Sequence, residues 1–101
     1  MDVDIQQLQV TQNHALHRFE VPLGDKFGLI DYSLRDSSYV LPHAEVPPEY
    51  GGRGIASEMT RQTLDMIRAE GKGVWASPMC PFVRSFIQKN QVYQDMVIQK
   101  T

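Results

Sequence analysis

Along the first half of the chain, apolar residues tend to fall at every second position. From Gly54 onward they fall at every third and fourth. Leu8 and Val10 begin a short alternation that the turn signal of Asn13 stops. Ala15, Leu16, Phe19 and Val21 predict a second strand closed by Pro22, with a turn at Gly24-Asp25. Phe27–Leu34 (FGLIDYSL) is rich in strand formers and runs into the polar stretch Arg35-Asp36-Ser37-Ser38. Tyr39–Val46 (YVLPHAEV) reads as a fourth strand, in which Pro42 removes one ladder hydrogen bond and predicts an irregularity. Short turns between these strands make an antiparallel meander.

The second half follows a helical period. Ile55, Met59, Thr63 and Ile67, backed by Ala56 and Leu64, form one apolar stripe, while Glu58, Arg61, Asp65 and Arg68 take the other side. Gly71 is placed to end this helix as the residue just past its C-cap. A short strand is expected over Gly73–Ala76, then a second helix over Phe82–Lys89 (FVRSFIQK) with Phe82, Val83, Phe86 and Ile87 as its buried stripe. Past the turn at Asn90, a short tail is expected to pack back through Tyr93, Met96 and Val97. The order of four strands, helix, strand, helix gives an α+β fold with a mostly antiparallel sheet.

Length and charge narrow the function. A chain of 101 residues supports a single domain over 1–101. A net charge of −2 leaves no basic excess for a nucleic-acid partner. No apolar run approaches the roughly 18–20 residues of a membrane span. The acidic start MDVDIQQLQV does not read as a signal peptide, so a cytoplasmic location is the expectation. One cysteine, Cys80, excludes an internal disulfide, and with His14, His17 and His43 scattered no metal site is expected.

The stretch EVPPEYGGRGIASEM, Glu45–Met59, carries the main chemical signal. Gly51-Gly52-Arg53-Gly54-Ile55-Ala56 sits between a strand and a helix. There, first-turn N–H groups lack carbonyl partners and the helix dipole is positive. Glycines let an anion approach those donors, and Arg53 can add a charge-assisted contact, so the stretch predicts a phosphate or pyrophosphate site. A P-loop would need Lys-Ser or Lys-Thr after its last glycine, where Ile55-Ala56 stand. A dinucleotide fingerprint would put Ser57 at its third glycine and want an acid near Val74-Trp75-Ala76, which has none. Neither fits.

Gly54-Ile55-Ala56 matches the second half of the pyrophosphate loop of the GCN5-related N-acetyltransferases, although Gly51 stands where that loop usually has glutamine or arginine. The run from His43 through Ser57, then Pro78–Ile87 (PMCPFVRSFI) and Tyr93-Gln94-Asp95, resembles the minimal branch of this superfamily, about Asp31 to Val97. Departures are Ala44, Ala76 and Asn90-Gln91-Val92, where a His-Pro-type turn is common. The resemblance implies acetyl-CoA as cosubstrate, an amine acceptor and no metal. It implies Gly51–Ala56 on the pyrophosphate, the Val46 backbone on the pantetheine arm, and by position Asn90 near the cofactor.

Three side chains are candidates for catalysis. Pro81 suits the first position of a helix, which makes Cys80 its N-cap, where the dipole stabilises a thiolate and a thioester can be attacked. The resembled branch also places a cysteine here near the acetyl thioester. As a plain structural residue, Cys80 would be a small buried hydrophobe. His43 and Glu45, two apart on a strand, leave the same face, and either can act as general base toward an amine. His43 is favoured because imidazole changes charge near neutral pH. Otherwise they are a surface pair. Trp75 and Phe82 read as core, as do Met66 and Ile67, Tyr93 as packing, and His14 and His17 as surface.

Two functions from different classes follow. The first is an N-acetyltransferase of minimal size, by direct amine attack or through an acetyl-Cys80 intermediate. The second is a coenzyme A or acyl-CoA binding module with little turnover, since so short a chain has few loops for an acceptor pocket. A partner-binding domain with a vestigial loop is a third. The acceptor is not legible, and a monomer is the default.

Overall fold

The computed structural model describes residues 4–99. Strands β1 (Thr11–Asn13), β2 (Arg18–Leu23), β3 (Lys26–Arg35) and β4 (Ser38–Glu45) form the meander, followed by α1 (Ile55–Ala69), β5 (Val74–Met79), α2 (Pro81–Lys89) and β6 (Val97–Ile98). They form a six-stranded sheet in chain order. The first four strands pair antiparallel, whereas β5 joins β4 in parallel and β6 joins β5 in parallel. The α+β order is as expected, but the sheet is mixed and gains β6. No helix of the described residues is long and apolar enough to cross a membrane.

Four strand boundaries differ from the pattern, one being the end of β5, which runs on to Met79 rather than stopping at Ala76. The β1–β2 turn takes Ala15 and Leu16, and Leu16 is exposed. Leu8 caps a short 3-10 turn at Ile5–Gln7, so the alternation there belongs to the approach to β1. Pro22 lies inside β2, opposite Phe27, rather than closing it. It is tolerated because β1 pairs no further along than Glu20, so no strand on that side asks for its missing N–H. The β3–β4 turn places Asp36 and Ser37 at positive φ, 50° and 67°, the backbone of a tight hairpin turn that matches strand twist.

Helix α1 buries Ile55, Met59, Thr63, Leu64 and Ile67 against the sheet, as its period requires. It ends in a Schellman motif. Gly71, at φ 75°, donates its N–H to the Arg68 carbonyl at 2.9 Å, and the Lys72 N–H reaches the Ile67 carbonyl at 3.3 Å. In the core Tyr32 and Tyr39 pack edge to face, and Phe19 packs tilted against both. The Tyr39 hydroxyl sits 3.0 Å from the Glu70 carboxylate and accepts from the Gln12 amide at 2.9 Å. Burial first, and then the Glu70 contact, pushes this phenol up to about 12.

After α2 the chain turns through a 3-10 segment, Gln91–Met96, which buries Tyr93 and Met96 before β6. Its outer side is tied to α1. The Tyr93 hydroxyl donates to Asp65 at 2.8 Å, and Arg68 holds Asp95 at 3.0 Å and also donates to the Val92 carbonyl. Gly73 makes this docking possible, because a Cβ there would stand 2.6 Å from the Met96 carbonyl oxygen. Gly73→Ala should therefore cost about 2–3 kcal/mol by overpacking against backbone. Gly71→Ala meets nothing within 4 Å and pays for its left-handed φ alone, about 1 kcal/mol. Urea denaturation of the two variants checks this, and equal losses would show that the close approach at Gly73 does not matter.

Candidate functional site

The site is built where β4 leaves β5. Tyr39 pairs with Val74 and Leu41 with Met79, so β5 is much longer than β4 between the same two pairs. The N–H of Cys80 donates to the Leu41 carbonyl at 2.8 Å, and beyond that bond the chain of β5 turns into α2. From Pro42 to Glu45, β4 pairs with β3 alone, which leaves its other edge without a strand among the described residues.

The irregularity expected at Pro42 is a bulge. Asp31 pairs with His43 and Ser33 with Val40, so Tyr32 alone faces Leu41 and Pro42. The extra residue switches the faces. Tyr39 and Leu41 point into the core, and after the bulge it is Ala44 and Val46 that pack against it. His43 and Glu45 thereby share the outer face, with His43 Nε2 3.6 Å from Glu45 Oε1 and both side chains more than half exposed. Without the bulge, strict alternation from Leu41 would send them inward.

Past β4, Pro48–Tyr50 makes one 3-10 turn, and the Gly51 N–H closes it on the Pro48 carbonyl at 3.0 Å. Gly51 itself has φ −68°, a backbone open to any residue, and its donor is already used. Gly52 and Gly54 are different, with φ of 75° and 79°. Gly54 is the N-cap of α1 and, being glycine, supplies no side-chain cap. The first helical bond is Glu58 N–H to the Gly54 carbonyl at 3.1 Å, so the N–H groups of Ile55, Ala56 and Ser57 precede every helical acceptor. Arg53 lies with its guanidinium carbon 5.7 Å over the ring of Tyr50, which is buried beneath the loop.

A cavity of about 230 Å³ opens on this loop, walled by Val46, the glycines, Ala56, Ser57 and Phe82. A second, of about 280 Å³, shares Ser57 and Phe82 with it and is otherwise lined by Ser85, Phe86, Lys89 and Asn90. A larger cavity, about 330 Å³, lies elsewhere, between β5, α2 and the tail at Met79, Arg84, Gln88 and Gln94, and does not touch the loop.

The structure thus gathers Val46, Gly51, Gly52, Gly54, Ile55 and Ala56 around one opening, with Asn90 at the far end of the adjoining one. The Asn90 amide donates to the Phe86 carbonyl at 2.8 Å, so part of it serves the end of α2. Cys80 is the N-cap of α2, as Pro81 implied, but the residue is 7% exposed and belongs to the core cluster. It meets β4 through backbone, while His43 and Glu45 stand on the exposed face. Among the described residues no group of three His, Cys, Asp or Glu side chains is arranged to hold a metal.

Phe82 corrects the expected core stripe. Val83 and Ile87 are buried and Phe86 is half-buried, but Phe82 is 39% exposed and lines both cavities. One helical step of about 100° separates it from Val83, which turns it from the core toward the loop. Trp75 is buried as expected, with its indole N–H donating to the Arg35 carbonyl at 2.8 Å and the Arg35 guanidinium over its ring.

Residues 18–96 match a family model described as GCN5-related N-acetyl-transferase. The chain is also similar to Protein NATD1 of Bos taurus, 35% identical over 54 residues. That alignment covers 54% of this chain and 46% of the relative, so it spans about half the length of that protein.

If Phe82 faces a ligand rather than the core, removing its ring will hardly affect folding. Phe82→Ala should cost less than about 1 kcal/mol, whereas Ile87→Ala on the buried face of the same helix should cost about 2–4 kcal/mol. Thermal and urea unfolding measure both, and a loss at Phe82 matching that at Ile87 would return it to the core.

Proposed function

The chain belongs to the GCN5-related N-acetyltransferase family, and from that premise we propose that it transfers the acetyl group of acetyl-CoA to an amine. The observation that carries the reading is the uncapped N-terminus of α1, opening through Gly52 and Gly54 onto a cavity at the end of the unpaired edge of β4. A pyrophosphate needs several N–H donors, positive potential and no intervening side chains, and these residues supply all three. Gly52 has nothing within 4 Å of a Cβ position, so the approach is open there.

In this reading the N–H groups of Ile55 and Ala56, with Gly52, Arg53 and Gly54, hold the pyrophosphate. Gly51 contributes clearance rather than a donor, since its N–H closes the preceding turn. The free edge of β4 through Val46 receives the amides of the pantetheine arm as a strand would. Asn90 borders the adenosine end. The thioester then lies toward Leu41, where β4 and β5 part.

The amine nitrogen attacks the thioester carbonyl carbon, the carbon–sulfur bond breaks, and coenzyme A leaves as a thiolate that takes up a proton. The amine must lose a proton, and His43 is the group to accept it, directly or through a water, with the Glu45 carboxylate 3.6 Å from its Nε2. Cys80 is either the group that protonates the departing sulfur or the carrier of the acetyl group as a thioester of its own. The exposed setting of His43 and Glu45 also supports a second reading, a module that binds acyl-CoA and turns it over little, because no wall encloses an acceptor there.

The experiment is to follow release of free thiol from acetyl-CoA with a panel of primary amines, beside calorimetric binding. Amine-dependent release that falls about 100-fold in His43→Ala is expected for a general base. Binding without release from any amine would select the binding module. Gly54→Val should abolish binding, and unchanged affinity would refute the loop. Intact mass after incubation with acetyl-CoA separates the roles of Cys80. An acetyl adduct lost in Cys80→Ala marks the covalent route, and full turnover by Cys80→Ala excludes it.

A further inference from the structure

Taking the acetyl-CoA reading as its base, we propose that Lys89 reads the 3′-phosphate of the cofactor's adenosine, so that the protein selects coenzyme A over shorter or dephosphorylated carriers of the same thioester. The second cavity shares two walls, Ser57 and Phe82, with the first, so the two adjoin between the start of α1 and α2. A ligand whose pyrophosphate sits on the glycine loop has its adenosine to place, and the second cavity is the adjoining space.

Its lining suits that group. Phe82 and Phe86 offer aromatic surface to a purine, and the hydroxyls of Ser57 and Ser85 border the same space. Lys89 stands at the far end, seven residues from Phe82 on the same helix and therefore about 10 Å further along. Its ammonium is the one cation among the residues that line this cavity. No carboxylate of the described residues forms an ion pair with it. Arg53, the other cation near the groove, is stacked over Tyr50 at the loop end and belongs to the pyrophosphate side. A dianionic phosphate attached to the ribose therefore meets Lys89. A carrier that ends in phosphopantetheine leaves that ammonium without a partner.

Lys89 is exposed, so the pairing is screened and modest in size. At low salt the unaltered protein should bind coenzyme A about 5- to 10-fold more tightly than 3′-dephospho-coenzyme A by calorimetry. Lys89→Met should bring the two ligands within about 2-fold of each other by weakening coenzyme A alone, and Lys89→Arg should keep the preference. The ratio of the two affinities is insensitive to a general loosening of α2, which would weaken both. Equal affinities in the unaltered protein, or a preference that survives Lys89→Met, would overturn the assignment. So would a preference lost in Arg53→Gln but not in Lys89→Met. If neither ligand binds the unaltered protein, the acetyl-CoA reading fails with it, which is a different result from equal binding.

Discussion

The hydrogen bond from the Cys80 N–H to the Leu41 carbonyl is the last tie between β4 and the chain of β5, and the arrangement of the site depends on it. Before it the two strands run together with a shared core. After it β4 continues toward the glycine loop while the other chain turns into α2. A parallel pair that continued would have closed the groove with its own ladder. One that ended sooner would have left Leu41, which is fully buried, without its cover. Because Pro81 cannot donate a ladder hydrogen bond and favours the first helical position, the strand must stop at this point and the helix must start.

The bulge at Pro42 acts on the same strand one step further. It keeps Ala44 and Val46 in the core while it brings His43 and Glu45 out together, so one inserted residue settles both packing and exposure. The long first helix is fixed independently of this. Its Schellman end, its buried stripe and the Arg68–Asp95 contact to the tail hold it against the sheet, and its uncapped start is left facing the loop. The C-terminal end of α1 is thus tied to the tail. The N-terminal end keeps the unpartnered donors that an anion requires.

What was legible in the sequence is what local chemistry decides. The period of α1, the glycine that ends it, Pro81 at the start of α2 and the proline bulge each follow from one or two residues and their stereochemistry. The elements that were not legible are those set by distant partners. Strand β6 is two residues long and exists because β5 offers it a parallel edge, a condition no local pattern records. Leu16 carries strand-like character but falls in a turn, since β2 begins where Arg18 meets Asp31. Phe82 is apolar and sits beside Val83, so a stripe read from residue type alone includes it. Its off-stripe angle, about 100° away, was the available signal. The opening at Gly51–Ala56 was readable. Its extension along α2 to Lys89 was not, because the sequence does not say which face of α2 turns toward α1.

The burial of Cys80 beside the exposure of His43 and Glu45 bears on the two chemical routes within the proposed transfer. A covalent acetyl-cysteine requires the thioester carbonyl to reach the side chain of a buried residue packed in the core. It then requires the amine to reach that same buried carbon. Direct attack requires the carbonyl to come only as far as the parting of β4 and β5, with the amine arriving from the face where the imidazole already stands. The second route buries no additional polar group and asks for no rearrangement of α2, whose N-cap Cys80 occupies. On this geometry direct transfer is the favoured course.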